Sequence, residues 1–325
     1  PAAFATAGVL VGAVPLANGF AFVVPLAIAL AWAAMDPRRP WWRFFVPALV
    51  LGLPVAWWLQ PAESVVRWFP GWMAEDGAVG WVVFWGRNAG PFLLLLVAAC
   101  LWRGTVPGRM VRAFLPFWLL WIVPNLVAFH PWEWNNTKYF AFWQLVGSFL
   151  VGALLVRLAR DGLAGRVVVG RIVAAAALVA LTASGVADLS RAADRSATRI
   201  GWASADALEV ADWLRTATDP DVVVAAAPAI DEQVVALSGR SFVSGFPGWT
   251  YDLGVPDWSA RATDAQTILQ GGPEGLATAR ARGAELVVIG PIERGPAFGA
   301  DEAWWAANAE LVHRSGDWSV YQVPT

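Results

Sequence analysis

The sequence predicts an α-helical polytopic membrane domain of about six transmembrane helices over residues 1–187, followed by a small extracytoplasmic α/β domain over 188–325. Three observations predict it. Of 325 residues, 58% are hydrophobic and only 15% charged, against about 25% charged in soluble domains. The long apolar runs are confined to the first 187 residues, and the remainder is patterned like an ordinary soluble chain. Arginine-rich turns alternate with loops that carry acids, the asymmetry that orients helices in a bilayer.

In chain order, residues 4–34 are apolar and long enough to span, since about 20 residues cross the hydrocarbon core. The run is interrupted by Pro15, Asn18 and Pro25. Asp36-Pro-Arg-Arg-Pro-Trp-Trp-Arg43 is a basic turn. Residues 44–59 form a second span ending in Trp57-Trp58, side chains suited to the headgroup boundary. Residues 60–80 predict a loop with a short interfacial helix. The third span starts at about Pro91, with 81–90 dipping into the interface and carrying Arg87-Asn88. Arg103, Arg109 and Arg112 make a second basic turn. Residues 113–129 are the fourth span and 139–156 the fifth. Arg157, Arg160, Arg166 and Arg171 make a third basic turn before the sixth span, 172–187.

The three basic turns hold three, three and four arginines against Asp36 and Asp161. Loops 60–90 and 130–138 hold Arg67, Arg87 and Lys138 against Glu63, Glu75, Asp76 and Glu133. The positive-inside rule places the arginine turns in the cytoplasm. The 130–138 loop and the C-terminal domain then lie together on the extracytoplasmic side, and the protein is a multi-pass protein of the cell membrane.

From residue 188 the periodicity changes. Residues 204–217 place apolar side chains at 207, 210, 213 and 214, an amphipathic helix with Ser204 as N-cap. Val222–Ala226 and Glu285–Ile289 are short buried-type strands, and 241–244 is a weaker one. Residues 230–237, 257–270, 274–282 and 300–308 read as helices. Leu311–Arg314 and Trp318–Val323 flank Ser315-Gly-Asp317 as a hairpin. Such alternation gives an α/β domain, and about 135 residues suffice to bury a core.

A net charge of −2 excludes a nucleic-acid binder driven by phosphate contacts. One cysteine, Cys100, excludes an intrachain disulfide, and two histidines do not make a zinc site. No cofactor is identified, and a divalent metal is left open without being indicated. The chain starts at Pro1 inside an apolar region, so an N-terminal portion holding catalytic residues is expected upstream.

The densest chemistry lies in His130-Pro-Trp-Glu-Trp-Asn-Asn-Thr-Lys-Tyr139, which contains the only lysine. Lys138 is a compact cation that suits a phosphate or carboxylate. Asn135 and Asn136 offer amide donors, Glu133 can ionise, and the tryptophans offer flat apolar faces. An aromatic-belt loop with interfacial charges accounts for the same residues. Arg87 either snorkels to the interface or contacts an anionic headgroup. Asn18 either lines a cavity or ties helices together. In 237–254, four glycines and a proline leave Arg240, Trp249, Tyr251 and Asp252 on a loop surface suited to a sugar or glycosyl phosphate, or packed on the domain core. No Walker lysine loop, GxGxxG, GxSxG or HExxH motif is present.

Two stretches, Trp132-Glu-Trp-Asn-Asn-Thr-Lys138 and Leu237-Ser-Gly-Arg240 … Gly245-Phe-Pro-Gly-Trp249, resemble segments of the GT-C glycosyltransferase superfamily. Some of its polytopic bacterial and archaeal members carry Trp-acid-x-Asp-Asn-x-Lys in a late extracytoplasmic loop. They also carry Leu-Ala-Gly-Arg … Gly-Tyr-Pro-Gly-Trp in an extracytoplasmic α/β tail. The likeness covers 113–325 in outline. It departs at Asn135, where Asp is expected, and at Pro15–Phe20, where relatives tend to carry His. It implies transfer of a sugar from a polyprenyl-phosphate-linked donor. Lys138 and Arg87 would contact the donor phosphate, while His130, Asn135, Asn136 and Glu133 would help to bind or orient it. Arg240, Trp249, Tyr251 and Asp252 would approach the acceptor. The family's general base lies near the N-terminus, which leaves Glu133 as the weak catalytic candidate within this chain. A transporter or flippase of a lipid-linked substrate, and a non-catalytic membrane protein presenting its α/β domain, are the alternatives.

Overall fold

The computed structural model describes residues 2–59, 66–74, 77–102, 104–196 and 201–325. Glu63, Glu75, Asp76 and Arg103 lie outside them. The chain is mostly helical, with a small sheet near the C-terminus. It forms two compact units, a helical one that ends near residue 198 and an α/β one over 199–325.

The helical unit starts with Ala2–Ala13 (α1), Gly19–Met35 (α2) and Trp42–Trp58 (α3). The single span expected over 4–34 is therefore two helices. The break falls at a 3-10 turn, Val14–Leu16, and at Asn18, whose Oδ1 accepts the Ala21 N–H at 3.1 Å as the N-cap of α2. A helix capped by its own chain at that point is started afresh rather than continued. Helices α1 and α3 pack backbone to backbone through Gly8, Gly12 and Gly52. A Cβ on Gly12 would stand 2.8 Å from the Leu51 Cβ, so the Gly8-x3-Gly12 spacing is what permits the contact.

Next come Arg67–Trp68 (β1), Gly77–Ala89 (α4) and Phe92–Leu101 (α5). Helices α4 and α5 meet at 91°. Gly90 has φ +52°, a conformation open to glycine, and Pro91 disfavours helical geometry in the residue before it. The predicted start at Pro91 is thus the corner of a bent pair. Gly108–Phe114 (α6), Leu119–Ile122 (α7) and Val127–Ala128 (β2) follow. The fourth span expected over 113–129 is not a continuous helix, because Pro116 and Pro124 each open a 3-10 turn; proline lacks the N–H that an α-helix interior needs.

Thr137–Asp161 (α8) and Val167–Ala193 (α9) are the two helices long and apolar enough to cross a membrane, or three spans if the bent pair counts as one. The other apolar helices are no longer than 17 residues. Among the described residues the expected six full-length spans are therefore not present as six continuous helices. Helix α9 also continues past the expected boundary at 187. The arginine turns gather at one end of this unit. Trp32 Nε1 donates to the Ala113 carbonyl (2.9 Å), Arg112 to that of Met35 (3.0 Å), and Arg157 to that of Gly104. The 66–74 and 125–136 segments meet about 37 Å away, the length of α8.

The second unit runs Ala205–Ala217 (α10), Val223–Ala225 (β3), Val234–Ser238 (α11), Ser241–Phe242 (β4), Pro247–Asp252 (α12), Trp258–Gln270 (α13), Gly272–Ala281 (α14), Leu286–Ile289 (β5), Pro291–Arg294 (α15), Glu302–Asn308 (α16), Glu310–Ser315 (β6) and Trp318–Gln322 (β7). Its sheet has the order β4-β3-β5-β7-β6, parallel among β4, β3 and β5 and antiparallel at β7 and β6. Side chains alternate across it. Val224, Leu286, Val288 and Val320 pack with α10 and α11, while Ala225, Val287, Ile289 and Tyr321 pack with α13, α14 and α16. Burial on both faces explains why the strands read as unbroken apolar runs.

Candidate functional site

The 125–138 segment is held from three directions. Strands β1 and β2 pair antiparallel, with Arg67 opposite Ala128. Phe69 and Gly71 donate backbone hydrogen bonds to the carbonyls of Leu126 and Asn125 at 2.8 and 2.9 Å. Arg67 forms an ion pair with Glu133, and Trp72 Nε1 donates to the Glu133 carbonyl at 2.7 Å. The Glu133 carboxylate is therefore already spent on a cation.

His130, Asn135 and Asn136 are buried. The His130 Nδ1 accepts the Trp132 N–H at 3.2 Å and lies 2.6 Å from the Asn135 Nδ2. An amide nitrogen can only donate, so Nδ1 is the acceptor and the ring proton sits on Nε2. The Trp132 N–H and the Asn135 amide together hold the imidazole in this tautomer. An Asp at this position would face Nδ1 with an acceptor and demand a proton there.

Asn136 is 1% exposed. Its Nδ2 donates to the carbonyls of Pro124 (2.9 Å) and Val127 (2.8 Å), and its Oδ1 faces the Phe129 N–H at 3.5 Å. Both amide hydrogens are used within the chain, so the structure gives Asn136 a pinning role rather than the ligand role expected of it. Asn125, which the sequence reading passed over, is a second pin. Its Oδ1 accepts from Trp81 (3.2 Å) and Trp85 (3.0 Å), and its Nδ2 donates to the Trp121 carbonyl at 2.7 Å. Around it Trp72, Trp85, Trp121, Phe140 and Trp143 pack edge to face or tilted. Its only signal in the sequence is an isolated amide after Pro124 in an apolar run.

Lys138 is half-buried in the first turn of α8. With Asn18, Ala21, Val24, Tyr139 and Phe142 it lines a cavity of about 250 Å³. The first turns of α2 and α8 both reach this cavity; the Asn18 side chain caps α2, and the 3-10 turn Glu133–Asn136 runs straight into α8, so the Thr137 amide is bonded within the chain. Ala21, Val24 and Phe142 also line a neighbouring apolar groove of about 640 Å³ walled by α1, α2, α3 and Phe117. Lys138 and Asn18 thus stand beside an apolar trough. Asn18 and Lys138, 120 positions apart, are brought together. Arg87 is exposed in the last turn of α4 and does not line this cavity.

In the α/β unit the 237–254 residues divide. The Arg240 guanidinium donates to the carbonyls of Leu214 (3.2 Å), Arg215 (2.6 Å) and Thr218 (2.9 Å) and to the Thr218 hydroxyl (3.0 Å). It caps the C-terminus of α10, where carbonyls lack partners. Tyr251 is buried against Trp258. Trp249 and Asp252 remain exposed. Of the four residues expected on an acceptor-facing surface, two are structural.

Ligands of open parallel sheets bind beyond the carboxyl ends of the strands, where the strand order reverses. Here β3 has β4 on one side and β5 on the other, and Glu293 closes that point. Its carboxylate accepts the N–H groups of Ala227 (3.0 Å) and Gly290 (2.9 Å), clipping β3 to β5. Glu232 nearby accepts from Val234 (2.9 Å) and Val235 (3.1 Å). Burial, with the Glu293 carboxyl beside it, pushes its pKa up to about 7. Among the described residues no group of three or more His, Cys, Asp or Glu could hold a metal ion.

No protein-family model matches the chain, and no curated protein shows significant similarity to it.

Proposed function

We propose that this chain is part of an integral membrane glycosyltransferase of the GT-C type, which transfers a sugar from a polyprenyl-phosphate-linked donor to an extracytoplasmic acceptor. The observation that carries the proposal is the Lys138 cavity at the mouth of the apolar groove. A phosphate monoanion or diester suits a point cation, and the attached prenyl tail suits the trough beyond it. In this reading the protein is multi-pass, with its arginine turns cytoplasmic and its α/β unit extracytoplasmic. Arg87 is exposed outside the donor cavity, and Trp249 and Asp252 are the acceptor-side candidates that remain.

The test is sugar transfer from a polyprenyl-phosphate donor, in membranes containing the whole protein, by the parent, Lys138→Ala and Lys138→Arg. Losing a charge-assisted contact of about 1.5–3 kcal/mol lowers turnover at limiting donor by about tenfold to a hundredfold, and Arg restores part of it. Undiminished transfer by Lys138→Ala would remove the residue from the mechanism. The 91° corner between α4 and α5 favours a second reading, a flippase of the same lipid-linked substrate. Donor translocation without any glycosylated product would select it.

A further inference from the structure

The end of the helical unit opposite Lys138 holds a different cavity. It has a volume of about 780 Å³ and lies between the 35–41 turn and the 109–113 segment. Arg38, Arg39, Arg109 and Arg112 line it, against one carboxylate, Asp36. Asp36 is engaged by the Arg39 Nε at 2.7 Å, and Arg112 donates to the Met35 carbonyl at 3.0 Å. Arg38 and Arg109 make no ion pair among the described residues. The walls are fixed by two indoles. Trp32 bonds to the Ala113 carbonyl and Trp41 to the Asp36 carbonyl, each at 2.9 Å. Both indoles also line the apolar groove, beside Phe4, Ala7 and Phe44.

We propose that this cavity binds the headgroup of an anionic phospholipid, with one acyl chain lying in the near end of the groove past Trp32 and Trp41. Three features select that occupant. The charge balance of four guanidiniums to one carboxylate calls for an anion. Guanidinium forks match phosphodiester oxygens two at a time. The direct continuation into apolar surface favours an anion that carries its own hydrocarbon over a free one, because only the former removes both surfaces from water. Basic pockets between membrane helices recognise headgroups through this combination. The proposal does not rest on glycosyl transfer: its arginines lie at the other end of the unit from Lys138, and only the groove between the two ends is shared.

The test is native mass spectrometry of the full chain in detergent, titrated separately with phosphatidylglycerol and phosphatidylcholine. Phosphatidylglycerol should bind at least about tenfold more tightly, and Arg38→Gln/Arg109→Gln should lower its affinity by about tenfold or more. Arg38→Lys/Arg109→Lys keeps the charge but loses the forks, so its affinity should fall between those of the parent and the Gln pair. Arg157→Gln/Arg160→Gln, at the same end but outside the cavity, should bind as the parent does. Equal binding of the two lipids would overturn the proposal, as would full phosphatidylglycerol binding by the Gln pair or an equal loss in the Arg157/Arg160 pair. Displacement of the lipid by excess inorganic phosphate would reassign the cavity to a free anion. Helicity and melting temperature of the Gln pair are compared with those of the parent and the Lys pair, so a folding defect shows as a drop in these and not as a loss of lipid binding alone.

Discussion

Asn136 separates a pinning role from a ligand role. In Asn136→Ala the carbonyls of Pro124 and Val127, now bonded at 2.9 and 2.8 Å, each lose their donor. A buried group left unsatisfied costs about 1–3 kcal/mol, so the two together destabilise the 124–136 segment by about 2–6 kcal/mol. The local opening equilibrium then shifts by about thirtyfold to about twenty-thousandfold. Hydrogen exchange reads this directly at the Phe69 and Gly71 amides, which donate into the segment. Asn136→Asp is worse, because a carboxylate oxygen replaces a donor between two carbonyls. A carboxyl held there resists ionisation, so the variant's stability is full below the ordinary Asp pKa and is lost as pH rises. Parent-like protection at these amides in Asn136→Ala, accompanied by loss of lipid-phosphate binding, would refute the reasoning and return Asn136 to the ligand set.

Two further outcomes follow from the geometry. Glu232 has its pKa raised to about 7 in the folded protein, from 4.5. Its contribution to stability is therefore full below pH 4.5 and is lost as pH rises through 7. Exchange at β3 and β5 amides, corrected for intrinsic rate, should quicken over that window by an amount equivalent to at most about 3 kcal/mol, and Glu232→Gln should flatten the dependence; the same slope in both proteins would count against the assignment. Asn135→Asp should move the His130 proton from Nε2 to Nδ1, visible in the ring ¹⁵N shifts, whereas an unchanged Nε2–H tautomer would show that the Asn135 contact does not select it.

Much of the fold was legible because it rests on local signals. Ser204 caps α10 through a 3.1 Å bond to Ala207, as its place before an amphipathic run predicts. The strands at 223–225 and 286–289 and the hairpin around Gly316 follow from apolar runs and a turn triplet. The corner at Gly90-Pro91 was legible too, since glycine opens the left-handed conformation and proline disfavours helix in the residue before it. The number of spans was not. A 31-residue apolar run reads as one helix until the Asn18 side chain caps a second, and hydropathy averages over the break.

The candidate site divides along the same line. By itself the sequence determined that 130–138 is a polar segment between apolar ones, that Lys138 is its only ammonium, and that the arginine turns differ in charge from the loops between them. Composition and spacing are local properties, visible without coordinates. Only the tertiary structure decided which polar groups are engaged within the chain. It spent Asn136, Glu133 and Arg240 on carbonyls and an ion pair inside the protein, because a buried donor or charge must find a partner. It joined Asn18 to Lys138 across 120 positions, because the ends of α2 and α8 come together only when the helices pack.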